Sequence, residues 1–93
     1  MNNLTWDTLR GAAVGTLLEF VQPHDIYPYC IVPAGTLAIV ARVYLDGEHA
    51  IIDLLPADPA TCKALKEWDG CIQFNPHNDG YSWSDESPVA LHV

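Results

Sequence analysis

A small, strongly bent β-barrel of four or five short strands, with a brief helix ahead of the closing strands, is the fold this sequence predicts. Three observations carry the expectation. Apolar residues recur with a two-residue period in several separate stretches, an Asp-Gly pair sits midway between two long apolar runs, and only one internal segment carries both caps of a helix. Length and composition agree with one domain over residues 1–93: 49% apolar and 17% charged is the balance of a folded globule, and the chain is long enough to bury a core without staples. There is no internal repeat and no low-complexity tract.

The first element is short. In "NNLTWDTLRG", Asn3 or Thr5 is a candidate N-cap and Gly11 a natural stop, leaving room for about one and a half helical turns that carry Leu4, Trp6 and Leu9. From Ala12 the period changes, with Val14, Thr16, Leu18 and Phe20 on one side and Gly15, Leu17, Glu19 and Val21 on the other, as in a strand buried on one face. "IYPYCIVPAG", from Ile26 to Gly35, then reads as a long connection between the first two strands. Pro28 and Pro33 stiffen it, and Ile26, Cys30 and Val32 fold it over an open barrel end.

The hairpin follows in "TLAIVARVYLDGEHAIIDLL", where Asp46-Gly47 tolerates the positive φ of a type I′ turn. With Leu45 facing Glu48, the pairs Val43/Ala50, Ala41/Ile52 and Ile39/Leu54 are expected to form the core face, and Tyr44/His49, Arg42/Ile51 and Val40/Asp53 the other. "ADPATCKALKEWDG" is the helix: Asp58 as N-cap, Pro59 at the first helical position, Gly70 just past the end, and a narrow stripe of Cys62, Leu65 and Trp68. Two short strands close the chain, Ile72 and Phe74 alternating with Gln73, and Val89, Leu91 and Val93 alternating with Ala90 and His92. Asn75-Pro76 and Asp79-Gly80 mark turns between them.

"VPAGTLAIV", Val32 to Val40, resembles the run into the second strand of SH3-like barrels, where a glycine lets the chain swing from a long loop into the sheet. "LKEWDGCIQF" resembles the closing segment of small SH3-like barrel proteins encoded by phages and plasmids, mostly uncharacterised. The resemblance covers under a quarter of the chain. It implies a partly open SH3-like barrel of about five strands, and a loop at 26–35 in the position where SH3 domains receive proline-rich peptides.

Charge narrows the classes of partner. Four Lys and Arg against twelve Asp and Glu give a formal net charge of -8, so a phosphate backbone would be repelled and a basic protein surface attracted. Direct nucleic-acid binding is not expected. No basic start followed by an apolar run resembles a signal peptide, and the apolar region from Ile31 to Leu45 is broken by Pro33, Gly35 and Arg42, so no membrane span is expected and the chain reads as cytoplasmic. Three cysteines, Cys30, Cys62 and Cys71, are expected as reduced thiols, with a Cys62–Cys71 disulfide as the alternative.

No stretch carries a catalytic or cofactor fingerprint, and the expectation is a non-enzymatic protein without cofactor. His24-Asp25, His49, His77 and Asp79 are of metal-ligating type, but no spacing among them makes a local metal motif. Arg42 and Asp53 share a hairpin face and fit an ordinary cross-strand ion pair. The leading expectation is a face that docks on a basic surface of a partner, with Asp46, Glu48, Asp79, Asp85 and Glu86 supplying charge and Tyr81 and Trp83 anchoring it. A nucleic-acid-binding host protein is the expected partner. With the resemblance to phage and plasmid proteins, the concrete form is a DNA-mimicking inhibitor of a defence complex such as a CRISPR nuclease. Two alternatives stand beside it: a peptide-binding module using Tyr27, Tyr29 and Trp68, and a small hydrolase or metal-dependent enzyme using His24, Cys30 or His77.

Overall fold

The structure is a computed structural model that describes residues 3–26, 30–47, 49–57 and 71–92. It is mainly β. Among the described residues, one helix and seven strands follow in order: α1 (Trp6–Arg10), β1 (Leu17–Phe20), β2 (His24–Ile26), β3 (Cys30–Val32), β4 (Leu37–Asp46), β5 (His49–Pro56), β6 (Ile72–Phe74) and β7 (Val89–Leu91). Five strands form an antiparallel sheet in the order β6-β5-β4-β1-β7, and β2 and β3 pair as a separate hairpin. With β6 and β7 at its two ends, the sheet is not closed among the described residues. No described helix is long and apolar enough to cross a membrane.

Local chemistry accounts for most elements. Thr5 caps α1, its hydroxyl accepting the Thr8 backbone N–H at 3.2 Å, and Gly11 ends it. In β1, Leu18 and Phe20 are buried, while Leu17 and Glu19 face outward as the alternation requires; Val14 lies ahead of the strand and is exposed. Gly35 adopts φ 91, and its N–H reaches the Phe20 carbonyl at 2.7 Å as the chain turns into β4.

The connection after β1 is more ordered than a plain loop. It contains the β2–β3 hairpin, in which His24 faces Val32 and Ile26 faces Cys30, and Val32 enters the core. Tyr27, Pro28 and Tyr29 lie outside the described residues, as do Glu48, the expected helix at 58–70 with Cys62 and Trp68, and Val93.

The long hairpin forms in a different register from the one expected. Its last pair is Asp46↔His49, followed by Leu45↔Ala50, Val43↔Ile52 and Arg42↔Asp53, so the chain turns one residue later than an Asp46-Gly47 centre would have it. Between Val40 and Arg42 the register shifts, and beyond it Val40 faces Leu54 and Ile39 faces Leu55. An extra residue in one strand exchanges the two faces from that point on. Val40 and Ala38 are therefore buried with Ala50, Ile52 and Leu54, in place of the expected Ala41 and Ile39, which are only half-buried.

The core gathers Trp6 and Leu9 of α1, Leu18 and Phe20 of β1, Val32 of β3, Ala38 and Val40 of β4, Ile52 and Leu54 of β5, Ile72 and Phe74 of β6, and Val89 of β7. Each fully buried Leu, Ile, Val or Phe contributes about 1.5 to 3 kcal/mol relative to exposure. Cys71, just ahead of β6, is buried too. In β7 the strict alternation fails: Val89 and Ala90 are both buried, whereas Leu91, at the sheet edge, is 49% exposed.

One further feature positions the site. Residues 3–7 are laced to residues 83–89: Leu4 N–H to Val89 O at 2.8 Å, Ser87 N–H to Leu4 O at 2.8 Å, Trp6 N–H to Asp85 O at 3.0 Å and Asp7 N–H to Trp83 O at 2.9 Å. The Asn3 side chain adds a bond from Nδ2 to the Ser87 carbonyl at 2.7 Å.

Candidate functional site

A cavity of about 300 Å³ opens where four separate segments meet. Trp6 comes from α1, Gln22, His24 and Asp25 from the approach to β2 and β2 itself, Phe74 from β6, Asp79 and Tyr81 from the turn after it, and Glu86 and Pro88 from the approach to β7. The backbone lacing holds Trp6 against the 83–89 segment, and an isolated bridge between Thr5 and Glu86 fixes where the glutamate leaves the chain.

The turn is built by its own residues. Asp79 N–H bonds Asn75 O at 3.1 Å, Tyr81 N–H bonds Pro76 O at 2.9 Å, the Asn75 side chain accepts the Asn78 N–H at 3.4 Å, and Gly80 takes φ 86. Pro76 is fully buried and anchors the turn. Asp79 and Tyr81 are thereby held exposed at the cavity mouth.

The apolar part of the wall is aromatic. Trp6 meets Phe74 edge-on with ring centroids 5.1 Å apart, and Tyr81 at 5.4 Å; His24 packs edge-on against Phe74 at 5.0 Å. Burial pushes the His24 imidazole below its ordinary pKa, outweighing the carboxylates of Asp79 and Asp25, which pull it up. His24 therefore stands uncharged at neutral pH.

The polar part of the wall is acidic. Asp25, Asp79 and Glu86 are all exposed, and among the described residues none of their side chains is engaged in a hydrogen bond or an ion pair with a base. Two described residues are cations at neutral pH, and both are engaged elsewhere. Arg10 pairs with Asp7 and lies 4.2 Å from the ring centre of Trp83, and Arg42 pairs with Asp53 at 3.3 Å. Trp6 adds a further feature: its indole Nε1 is buried and, among the described residues, is the one buried side-chain donor or acceptor with no hydrogen-bond partner. An unsatisfied buried donor costs about 1 to 3 kcal/mol.

Of the residues expected to meet a partner, the structure brings Asp79, Tyr81 and Glu86 to this cavity. Tyr81 is 49% exposed. Trp83 is half-buried against the core beneath Arg10, and Asp85 accepts the Ser82 N–H at 2.8 Å, closing its own turn. Asp46 ends β4 at the tip of the hairpin, and Glu48 lies outside the described residues. The peptide-binding set of Tyr27, Tyr29 and Trp68 also lies outside them. Of the hydrolase set, His24 lines the cavity while His77 lies against His49, with ring centroids 3.9 Å apart. Among the described residues, no three or more His, Cys, Asp or Glu are grouped so as to hold a metal ion.

Sequence reasoning missed Trp6 as a wall of the site, took Asp25 only as a metal-ligating type, and took His24 as that or as part of a hydrolase set. An acidic residue beside a histidine at the start of an apolar alternation was the available signal for Asp25; nothing local marks Trp6. Compared with known proteins, the chain matches no family model, no curated protein and no solved structure.

Proposed function

We propose that this chain is a non-enzymatic binding protein that docks an acidic, aromatic-edged face onto a basic surface of a partner protein. The observation that carries the reading is that three carboxylates unpaired among the described residues, Asp25, Asp79 and Glu86, line one cavity beside the exposed ring of Tyr81. Uncompensated like charges cost stability in the free protein, and a basic partner converts that cost into attraction and speeds encounter. The net charge of -8 gives the same sign at long range.

The partner class such a face fits is a protein whose own basic groove receives nucleic acid, because carboxylates then stand in for phosphates. An inhibitor of a defence nuclease, carried by a phage or plasmid, is the concrete version. The finer fold assignment, a partly open SH3-like barrel, is supported by the five-stranded antiparallel sheet and by Gly35 turning the chain into β4.

The test is binding to an immobilised, nucleic-acid-free DNA-binding protein and to an arginine-rich peptide, each at low and high salt. Binding is expected to weaken steeply as salt rises and to disappear when Asp25, Asp79 and Glu86 are all changed to Lys. Binding of both probes that is unaffected by salt and by the triple reversal would overturn the proposal.

A further inference from the structure

The start of β5 and the turn after β6 bring together two histidines, neither of which lines the cavity. The β5–β6 ladder pairs Ile52 with Phe74, Asp53 with Gln73 and Leu54 with Ile72. Three residues back from Ile52 and three forward from Phe74 stand His49 and His77, opposite one another where the ladder would run on. Burial keeps the same alternation: Ala50 and Pro76 turn to the core, while His49 and His77 share the outer face and are exposed. Their ring centres lie 3.9 Å apart.

We propose that His49 and His77 form a bidentate site for a divalent transition-metal ion of the zinc, nickel and copper class. Residues directly opposite on antiparallel strands have Cβ atoms about 4.5 to 5.5 Å apart, a span from which two imidazoles reach one shared ion. Metal–nitrogen bonds of about 2.0 to 2.1 Å place the two donor atoms about 3 to 3.5 Å from each other, and rings already in contact attain that by turning about their side-chain bonds. Among the described residues, neither ring is tied by a hydrogen bond or an ion pair. The backbone beneath them is fixed instead. Asp46 pairs with His49 across the hairpin, the Gly80 N–H bonds the His77 carbonyl at 3.2 Å, and Pro76 is fully buried.

Sheet stability does not account for the juxtaposition. Cross-strand partners that strengthen a sheet are opposite charges, hydroxyl pairs or aromatics against β-branched residues, whereas two imidazoles repel once both are protonated. A second observation is the hollow of about 200 Å³ beside the pair, lined by His49, Tyr44, Ile51 and Asn75. With about 30 Å³ to a water molecule, it has room for the waters that complete a coordination shell. No third His, Cys, Asp or Glu joins the two among the described residues, and this narrows the class of ion. Magnesium and calcium depend on several oxygen ligands, whereas imidazole suits zinc, nickel and copper and leaves the remaining positions to water. The net charge of -8 gathers cations around the molecule.

The experiment uses the full chain, stripped of metal with a chelator, isotope-labelled and titrated with ZnCl2, with MgCl2 as the comparison. Zn2+ is expected to shift the ring signals of His49 and His77 together and saturably, with smaller shifts at His24, packed against Phe74, and at His92, paired with Glu19. Mg2+ is expected to move none of them. His49→Ala and His77→Ala are each expected to weaken Zn2+ binding about tenfold or more, because the remaining imidazole loses a donor held at high effective concentration. Both side chains are exposed, so neither substitution touches the core. Zn2+ is also expected to raise the urea midpoint of the wild type and to leave that of the double variant unmoved, since the ion binds only the folded pair. Unmoved His49 and His77 signals, wild-type affinity in either single variant, or an equal response to Mg2+ would overturn the site. Zinc binding that persists undiminished in the double variant belongs to other groups, the three thiols included, and overturns it as well.

Discussion

Removing Arg42 should destabilise the protein more than an exposed cross-strand ion pair ever does. Asp53 sits mid-sheet in β5 with its side chain only 4% exposed, held by Arg42 Nη2 at 3.3 Å and by the Gln73 side-chain amide at 3.3 Å. Arg42→Met leaves that buried carboxylate with one neutral donor. Stripping a fully buried pair of one partner costs about 3 to 5 kcal/mol. The Arg42 side chain, however, is 54% exposed, so water screens part of the attraction, and about 2 kcal/mol is the figure to expect. For a domain of this size that is a fall in Tm on the order of 10 °C.

Arg42 also lies 5.3 Å from the ring centre of Tyr44, a contact that the substitution deletes. A double-mutant cycle with Asp53→Asn separates the two effects, because the Tyr44 contact drops out of the coupling term. Asp53→Asn keeps the shape and a hydrogen-bonding group for Gln73, so Arg42→Met in that background should cost under about 1 kcal/mol. Urea unfolding of the four proteins measures the coupling. A coupling energy below about 0.3 kcal/mol would refute the argument that burial of the carboxylate makes the pair strong.

Other outcomes follow from single sites. An imidazole held below its ordinary 6.5 binds its proton less readily in the folded chain than in the unfolded one, so His24 leaves stability undiminished above about pH 6.5 and lowers it as pH falls from there through the folded pKa. His24→Gln should flatten that part of a pH series of urea midpoints, and Asp79→Asn should drive the His24 pKa lower still, as read by NMR titration; an unmoved His24 titration would refute the assigned field of Asp79. Thr5→Ala removes the cap of α1 and should cost about 1 kcal/mol in urea unfolding, a value near zero meaning that the backbone lacing alone holds the helix. Gly35→Ala meets no neighbouring atom but places a Cβ at φ 91, so it should cost about 1 to 2 kcal/mol of conformational strain, with an unchanged midpoint showing that the turn relaxes.

Local rules accounted for the elements whose chemistry is local. Thr5 and Gly11 bracket α1 because capping needs only neighbouring residues, and the alternation of Leu18 and Phe20 marks β1 because a half-buried strand has a period of two. The hairpin was recognised from its glycine, but its register was not, since Asp46-Gly47 and Gly47-Glu48 both place a glycine at the bend and the choice is made by the packing of β4 against two neighbouring strands. The shift between Val40 and Arg42 leaves no mark in composition at all, yet it decides that Val40 rather than Ile39 enters the core.

The cavity was readable only in fragments. Asp79, Tyr81 and Glu86 stood out as acids and an aromatic in turns, where side chains tend to be exposed. Trp6 could not be joined to them, because its place beside Tyr81 depends on backbone bonds between residues about eighty positions apart, and no periodicity or spacing reports such a pairing.

That pairing of the earliest and latest described segments sets the order in which the cavity can be completed. A growing polypeptide that has left the ribosome only as far as β6 already carries Trp6, His24 and Phe74, but the cavity lacks the walls that Glu86 and Pro88 bring. The cavity is thus completed only when almost the last of the described residues have been added, so its geometry belongs to the whole fold and to no part of it.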